Sequence, residues 1–174
     1  MQNTEKYSYI LSVIKSGLNS SLNILEKSKA LASEKGISDE VFLDFKLAPD
    51  MFDFRRQIQI LSDTTKGNLS QLSGAESPSM PDTEVTFDDL ISRIKKTQDY
   101  VNTFTSESFK NAATVKITSK WIPGKYAESD NYIENFTLAN FHFHLHMAYA
   151  IARANGVQLG KGDITGGLNF KDLS

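Results

Sequence analysis

The apolar periodicity of residues 5–35 constrains this sequence more than any other feature. Apolar side chains recur there in steps of three and four, at Tyr7, Ile10, Leu11, Ile14, Leu18, Leu22 and Leu25. This spacing places them on one stripe of an amphipathic helix. Gly36 follows Lys35, which is typical of a helix that ends with a cation in its last turn. We therefore predict one long helix that buries a single face.

Similar patterns predict three more long helices. The second covers about residues 48–72, with Pro49 in its first turn and Gly74 at its end. The third begins after Thr86, a good N-cap, and runs to about residue 104. The fourth covers about residues 130–154 and ends at Asn155 and Gly156. A helical turn is predicted at 38–45, and the loops after helices one and two are long enough for crossover connections.

Two segments differ from the helical pattern. Residues 114–119 (TVKITS) alternate polar and β-branched side chains, and a turn signal follows at 121–125, which predicts a small hairpin. Residues 157–174 (VQLGKGDITGGLNFKDLS) are rich in glycine and are predicted to be irregular. Together the segments predict an all-α four-helix bundle with a small β-hairpin between helices three and four. One domain is expected to span residues 1–174.

The composition excludes several classes of protein. The net charge of −2 and the isoelectric point near 5.9 do not build the basic field that nucleic-acid binding needs. The chain has no cysteine, which excludes disulfides, thiolate nucleophiles and cysteine zinc sites. The N-terminal residues lack the apolar run of a signal peptide or a membrane span. We expect a cytoplasmic protein without a membrane partner.

Three strings carry a resemblance to a known family: KLAPDMFDFRRQIQILSDTTKG at 46–67, NFHFHLHMAYAIARANGV at 140–157 and LGKGDITG at 159–166. In this order and spacing the chain resembles the domain-of-unknown-function 1993 family, which is similar to the DinB/YfiT-like metalloenzyme superfamily. The resemblance implies a DinB-like four-helix bundle that is usually a homodimer. It also implies that some relatives hold a divalent metal on three histidines, one on helix two and two on helix four. A few relatives are thiol-dependent transferases, and the nearer family has no assigned reaction.

All three histidines lie within residues 141–146. His142 and His146 are four residues apart, a spacing that places two imidazoles on one helical face and can bind zinc or nickel. At about 100° per residue, His144 and Asn140 point towards the bundle, whereas His142 and His146 point the opposite way. We therefore predict a weak surface metal pair at His142 and His146, and a buried, hydrogen-bonded His144.

Helix two contains no histidine, so the three-histidine site cannot be assembled in its usual form. Its polar residues Asp50, Gln57 and Thr64 are seven apart and share one flank of the predicted helix. With Asn140 and His144 they are candidates for the lining of a small polar pocket between helices two and four. Lys66 is predicted to form a surface ion pair with Asp63, three residues away.

Two function hypotheses follow from these residues. The first is a bundle protein with a degenerate metal site, non-catalytic or ligand-binding, that keeps the small polar pocket. The alternative is a metal-dependent enzyme, transferase-like or hydrolase-like, that acts on a small molecule. The one candidate cofactor is a divalent metal, zinc or nickel. A homodimer is the expected assembly. The sequence identifies no catalytic residue and no substrate.

Overall fold

Four long helices dominate the computed structural model, which describes residues 3–119 and 122–165. They are α1 (Asn3–Lys35), α3 (Phe54–Ser73), α4 (Phe87–Asn102) and α6 (Leu138–Ala154). Helix α1 packs on α4 and α6, and α3 packs on the same two helices. The first two long helices in the chain therefore lie diagonally across the bundle, as the predicted crossover connection permits. The four-helix bundle is confirmed.

The second long helix begins later than predicted, at Phe54 instead of residue 48. The side chain of Asp53 caps it by accepting a hydrogen bond from the backbone nitrogen of Arg56 at 2.7 Å. The buried Phe54 also donates its backbone N–H to the oxygen of Phe45 at 2.9 Å, which ties the helix start to the preceding loop. Pro49 is therefore not in the first turn of a helix, and that part of the prediction was wrong.

The other helix ends follow their local signals. Thr86 and Asp89 form a capping box at the start of α4. Gly36 and Gly74 have φ angles of 65° and 77°, the left-handed conformation in which glycine commonly follows a helix. The predicted turn at 38–45 is the short helix α2 (Asp39–Leu43), capped by Ser38.

The predicted hairpin is also present. Strands β1 (Lys116–Thr118) and β2 (Tyr126–Glu128) pair antiparallel, with Ile117 opposite Ala127. Two short 3-10 turns, Ser106–Phe109 and Ala112–Thr114, connect α4 to the hairpin. Part of the predicted turn at 121–125 lies outside the described residues.

The fourth helical stretch is not continuous. It begins as α5 (Ser129–Tyr132), widens to a π-helical turn (Ile133–Thr137) and continues as α6. Asn155 caps it, and Gly156 follows with a φ angle of 95°.

The chain after α6 is not wholly irregular, which corrects the prediction, because a short helix α7 (Gly162–Thr165) docks on α1. Asp163 accepts hydrogen bonds from the Lys27 ammonium at 2.6 Å, the Asn23 amide at 2.7 Å and the backbone of Gly160 at 2.7 Å. The bond from Lys27, followed by that from Gly160, lowers the pKa of Asp163 to about 2. The rest of the predicted tail, 166–174, lies outside the described residues.

The core between the helices is rich in aromatic side chains. Phe42, Phe54 and Phe87 form a buried cluster where α2, α3 and α4 meet. At the other end of α1, Tyr7 stacks on Phe109 with 4.6 Å between ring centroids. Within the described residues, none of the helices has the length and apolar character needed to cross a membrane.

Candidate functional site

Two polar residues that were predicted to face the bundle meet between α3 and α6. Gln57 on α3 and His144 on α6 are only 1% and 6% exposed. The Nδ1 atom of His144 lies 2.8 Å from the Oε1 atom of Gln57. The predicted inward orientation of His144 is therefore confirmed.

A second hydrogen bond of Gln57 determines the tautomer of His144. The Nε2 atom of Gln57 donates to the backbone oxygen of Phe52 at 3.1 Å, so the amide oxygen faces the imidazole. Because an amide oxygen only accepts, Nδ1 of His144 carries the proton and Nε2 keeps its lone pair. Within the described residues, this Nε2 atom has no hydrogen-bond partner and is not fully enclosed.

The surroundings of His144 favour its neutral form. Burial lowers its pKa from 6.5 to about 4, and the positive charge of Arg56 contributes in the same direction. At pH 7 the side chain is therefore an uncharged imidazole with one free acceptor nitrogen.

Two further polar pairs continue along the same helix interface. The amide of Asn140 donates to the hydroxyl of Thr64 at 3.1 Å, and the hydroxyl of Tyr132 donates to Asn68 at 3.1 Å. We call this row the α3–α6 seam, formed by Gln57, Thr64, Asn68, Tyr132, Asn140 and His144. Most polar groups of these side chains form hydrogen bonds to one another across the interface.

Asp50 does not join the seam. It lies in the loop before α3 and is exposed, because the helix begins only at Phe54. The seven-residue spacing from Asp50 to Gln57 therefore does not describe one helical flank. The prediction that Asp50 shares one helical flank with Gln57 and Thr64 was wrong.

The histidine pair on the other side of α6 is only partly exposed. His146 is exposed, whereas His142 is half-buried and its Nδ1 atom is enclosed without a partner among the described residues. The two rings are nearly parallel, with 5.6 Å between their centroids and 20° between their planes. Burial, and then the charge of His146, lower the pKa of His142. The predicted solvent-facing position holds for His146 and was wrong for His142.

The buried His144 predicts a loss of stability in mild acid. Its pKa is lower in the folded than in the unfolded chain, so the unfolded chain binds more protons between pH 6.5 and 4. We expect about 2–3 kcal/mol of stability, present above pH 6.5, to be lost as the pH falls to 4. Urea titrations across this range should show a smaller loss in His144→Gln. The exposed His146→Gln variant is the control, and an unchanged pH dependence in His144→Gln would contradict the assignment.

A buried cluster of charges between α3 and α4 was missed at the level of sequence. The side chain of Arg93 is 1% exposed and contacts three acids: Glu84 at 2.6 Å, Asp63 at 2.6 Å and Asp82 at 3.0 Å. Burial alone would lower the pKa of Arg93, but the hydrogen bond that Arg93 donates to Glu84 and the charges of these acids raise it. Lys66 extends the cluster through Asp63 at 3.1 Å. The predicted Asp63–Lys66 pair is therefore present, but Lys66 is buried.

One signal in the sequence could have indicated this cluster. Arg93 lies between Leu90, Ile94 and Thr97, on the stripe of α4 that faces the bundle. A cation within an apolar stripe needs buried acids as partners. Two of those acids, Asp82 and Glu84, come from the α3–α4 loop, residues 75–85.

The α3–α4 loop and α4 enclose a cleft of about 320 Å³. The loop contributes residues 78–81, Thr83 and Glu84, and α4 contributes one face. That face consists of Asp89, Ser92, Arg93 and Lys96. Met80 also packs over the buried hydroxyl pair Ser62 and Thr97, with its sulfur 3.9 Å from each oxygen.

The α3–α6 seam does not fit the three-histidine metal site that the resemblance implies for some relatives. Across from His144 stands Gln57, and the inward position one turn before His144 is Asn140. Neutral amides and hydroxyls are poor ligands for transition metals. Among the described residues, no three His, Cys, Asp or Glu side chains are grouped so that they could hold a metal ion.

Comparisons with known proteins agree with this bundle. A family model described as a domain of unknown function (DUF1993) matches residues 7–165. The chain is similar to the crystal structure of a DinB family member protein from Shewanella denitrificans, with 34% identity, 95% of each chain covered and a TM-score of 0.86. No functionally curated protein matches it significantly. The chain therefore belongs to the DUF1993 family and has a DinB-like four-helix-bundle fold.

Proposed function

We propose that this protein is a non-catalytic or ligand-binding DinB-like bundle whose metal site is degenerate. One observation carries the proposal: the buried amide of Gln57 occupies the position opposite His144 and uses its oxygen as the acceptor for Nδ1. The other polar side chains of the seam are neutral amides and hydroxyls, which are poor transition-metal ligands, so one imidazole is the only good transition-metal ligand there. The small polar site of this function lies at His144, Asn140, Gln57 and Thr64.

The alternative is a metal-dependent enzyme acting on a small molecule. One observation favours it: His144 is neutral at pH 7 and keeps a free Nε2 lone pair, the form of imidazole that binds a metal. A single imidazole leaves the remaining coordination positions to water or substrate.

Titration with zinc or nickel distinguishes between these two proposed functions. We expect either ion to bind weakly at His142 and His146, because two imidazoles four residues apart on a helix supply two ligands after side-chain rotation. The measurement is calorimetric titration of untagged protein with zinc chloride, together with the metal content after purification. The His142→Ala/His146→Ala variant should lose this binding and keep the helical fold.

His144→Gln is the matched variant on the opposite face and should keep the zinc binding. Tight binding that survives in the double variant would place the metal at the seam, on His144. Stoichiometric zinc, nickel or iron in the purified protein, lost in His144→Gln, would likewise contradict the degenerate metal site and favour the alternative.

A homodimer is the assembly that we propose for this bundle. Phe136 and Phe143 lie two turns apart on the fourth helical stretch and are 43% and 49% exposed. Phe52, beside the seam at the start of α3, is also exposed. Aromatic side chains on one side of a bundle are typical of an interface between two identical copies.

Light scattering after gel filtration tests the dimer. At tens of micromolar we expect twice the mass of the chain for the parent and a monomer for Phe143→Lys, since a charge at a desolvated interface is costly. Tyr9→Lys replaces another exposed aromatic residue, on α1, and should leave the dimer intact. A monomeric parent protein would refute the proposal.

A further inference from the structure

The cleft between α4 and the α3–α4 loop contains free hydrogen-bond donors. Lys96 lines it and has no ion-pair partner in the described part of the chain. The exposed hydroxyls of Ser79, Thr83 and Ser92 also line the cleft, and none has a hydrogen bond to the described residues.

The acidic groups of the cleft are engaged within the protein. Glu84 accepts hydrogen bonds on both carboxylate oxygens, from Arg93 at 2.6 Å and from Gln59 at 2.9 Å. Asp89 accepts from Thr86 and Val85 at the start of α4, and the hydroxyl of Thr86 followed by these backbone bonds lowers its pKa. Two charges of the cleft have no ion-pair partner in the described part of the chain, the positive one of Lys96 and the negative one of Asp89, and they lie seven residues, about 10 Å, apart along α4. The groups that a ligand could satisfy beside Lys96 are therefore mostly donors.

The cleft also has an apolar wall and a limited size. Pro78, Met80 and Pro81 supply the wall from the loop side. A volume of about 320 Å³ corresponds to roughly ten water molecules at about 30 Å³ each. It therefore suits a compact molecule with one charged end and one apolar end.

We propose that this cleft binds a small organic carboxylate. The carboxylate accepts hydrogen bonds from Lys96 and the neighbouring hydroxyls, and its apolar body contacts Met80 and the two prolines. A cationic ligand would be repelled by Lys96, and Glu84 already accepts hydrogen bonds on both carboxylate oxygens. This site is separate from the α3–α6 seam, so it does not depend on the function proposed there.

Titration with benzoate, followed by the backbone amide signals of the full-length protein, tests the site. We expect saturable shifts at Ser92, Arg93 and the non-proline residues of 78–84. Benzamide and benzylamine, which replace the carboxylate by a neutral and a cationic group, should bind at least tenfold more weakly. Inorganic phosphate should not displace benzoate at equal concentration, because it lacks the apolar body.

Lys96→Met should weaken benzoate binding at least fivefold, because the ligand loses its cationic partner. Lys95→Met removes the neighbouring exposed lysine, which does not line this cleft, and should change the affinity less than twofold. Equal binding of benzamide, equal effects of the two lysine variants, displacement by phosphate, or shifts confined to other regions would each overturn the proposal. The absence of any benzoate binding would overturn it as well.

Discussion

Replacing Arg93 with methionine is expected to lower the free energy of unfolding by about 3–5 kcal/mol, because it leaves the largely buried carboxylate of Glu84 without its cation. Arg93 contacts Glu84, Asp63 and Asp82, and Glu84 is only 10% exposed in its side chain. Methionine fills a similar volume, so the loss comes mainly from uncompensated charge and not from a cavity. Urea unfolding at pH 7 measures the change. The gap to the parent should narrow near pH 4, where carboxylates begin to take up protons.

The double variant Arg93→Met/Glu84→Gln tests the cause of this loss. Removing the charge of Glu84 should restore part of the stability that Arg93→Met loses, because residues of one ion-pair cluster are coupled. Limited proteolysis should also cleave the α3–α4 loop faster in Arg93→Met, since Arg93 holds Asp82 and Glu84 of that loop. A loss below about 1 kcal/mol would show that Arg93 behaves as a surface residue.

Gly17→Ala is expected to destabilise the protein by about 1–3 kcal/mol, although alanine is the better helix former. A Cβ atom at position 17 would lie 2.4 Å from the Cε1 atom and 2.6 Å from the Cζ atom of Phe141. Phe141 is itself buried between α1 and α6, so its ring cannot move aside freely. Thermal and urea unfolding give the magnitude.

Gly67→Ala is the matched control, because it makes the same change inside another helix. Nothing lies within 4 Å of a Cβ atom at position 67, so this variant should gain about 0.5–1 kcal/mol from helix propensity. Phe141→Leu should reduce the cost of Gly17→Ala when the two are combined, as expected for residues in contact. Equal effects of the two glycine substitutions would contradict the close packing of α1 on α6.

The local elements of this fold were predictable from sequence because their signals are local. The end of α1 at Lys35, the cap of Thr86 on α4 and the hairpin strands depend on neighbouring residues alone. The start of α3 was not predictable in this way. The helix begins at Phe54 because the backbone oxygen of Phe45 and the side chain of Asp53 bind its first turn. That shift removed Asp50 from the candidate site.

The candidate site shows the same division. Helical periodicity was enough to predict that His144 faces the bundle, since seventeen consecutive residues of α6 share one helical geometry. It could not show that Gln57 holds the Nδ1 proton of His144, because that bond joins residues 87 positions apart. It also misjudged His142, which is half-buried and has an enclosed Nδ1 atom.

By itself the sequence determined the helical bundle, the hairpin, the absence of cysteine chemistry and the inward direction of His144. Only the tertiary structure decided that α1 and α3 lie diagonally, that α7 docks on α1, and that Arg93 gathers acids from α3 and the α3–α4 loop. The physical reason is the range of the interactions. Periodicity and caps act within a few residues, whereas buried charges and polar pairs depend on which helices become neighbours.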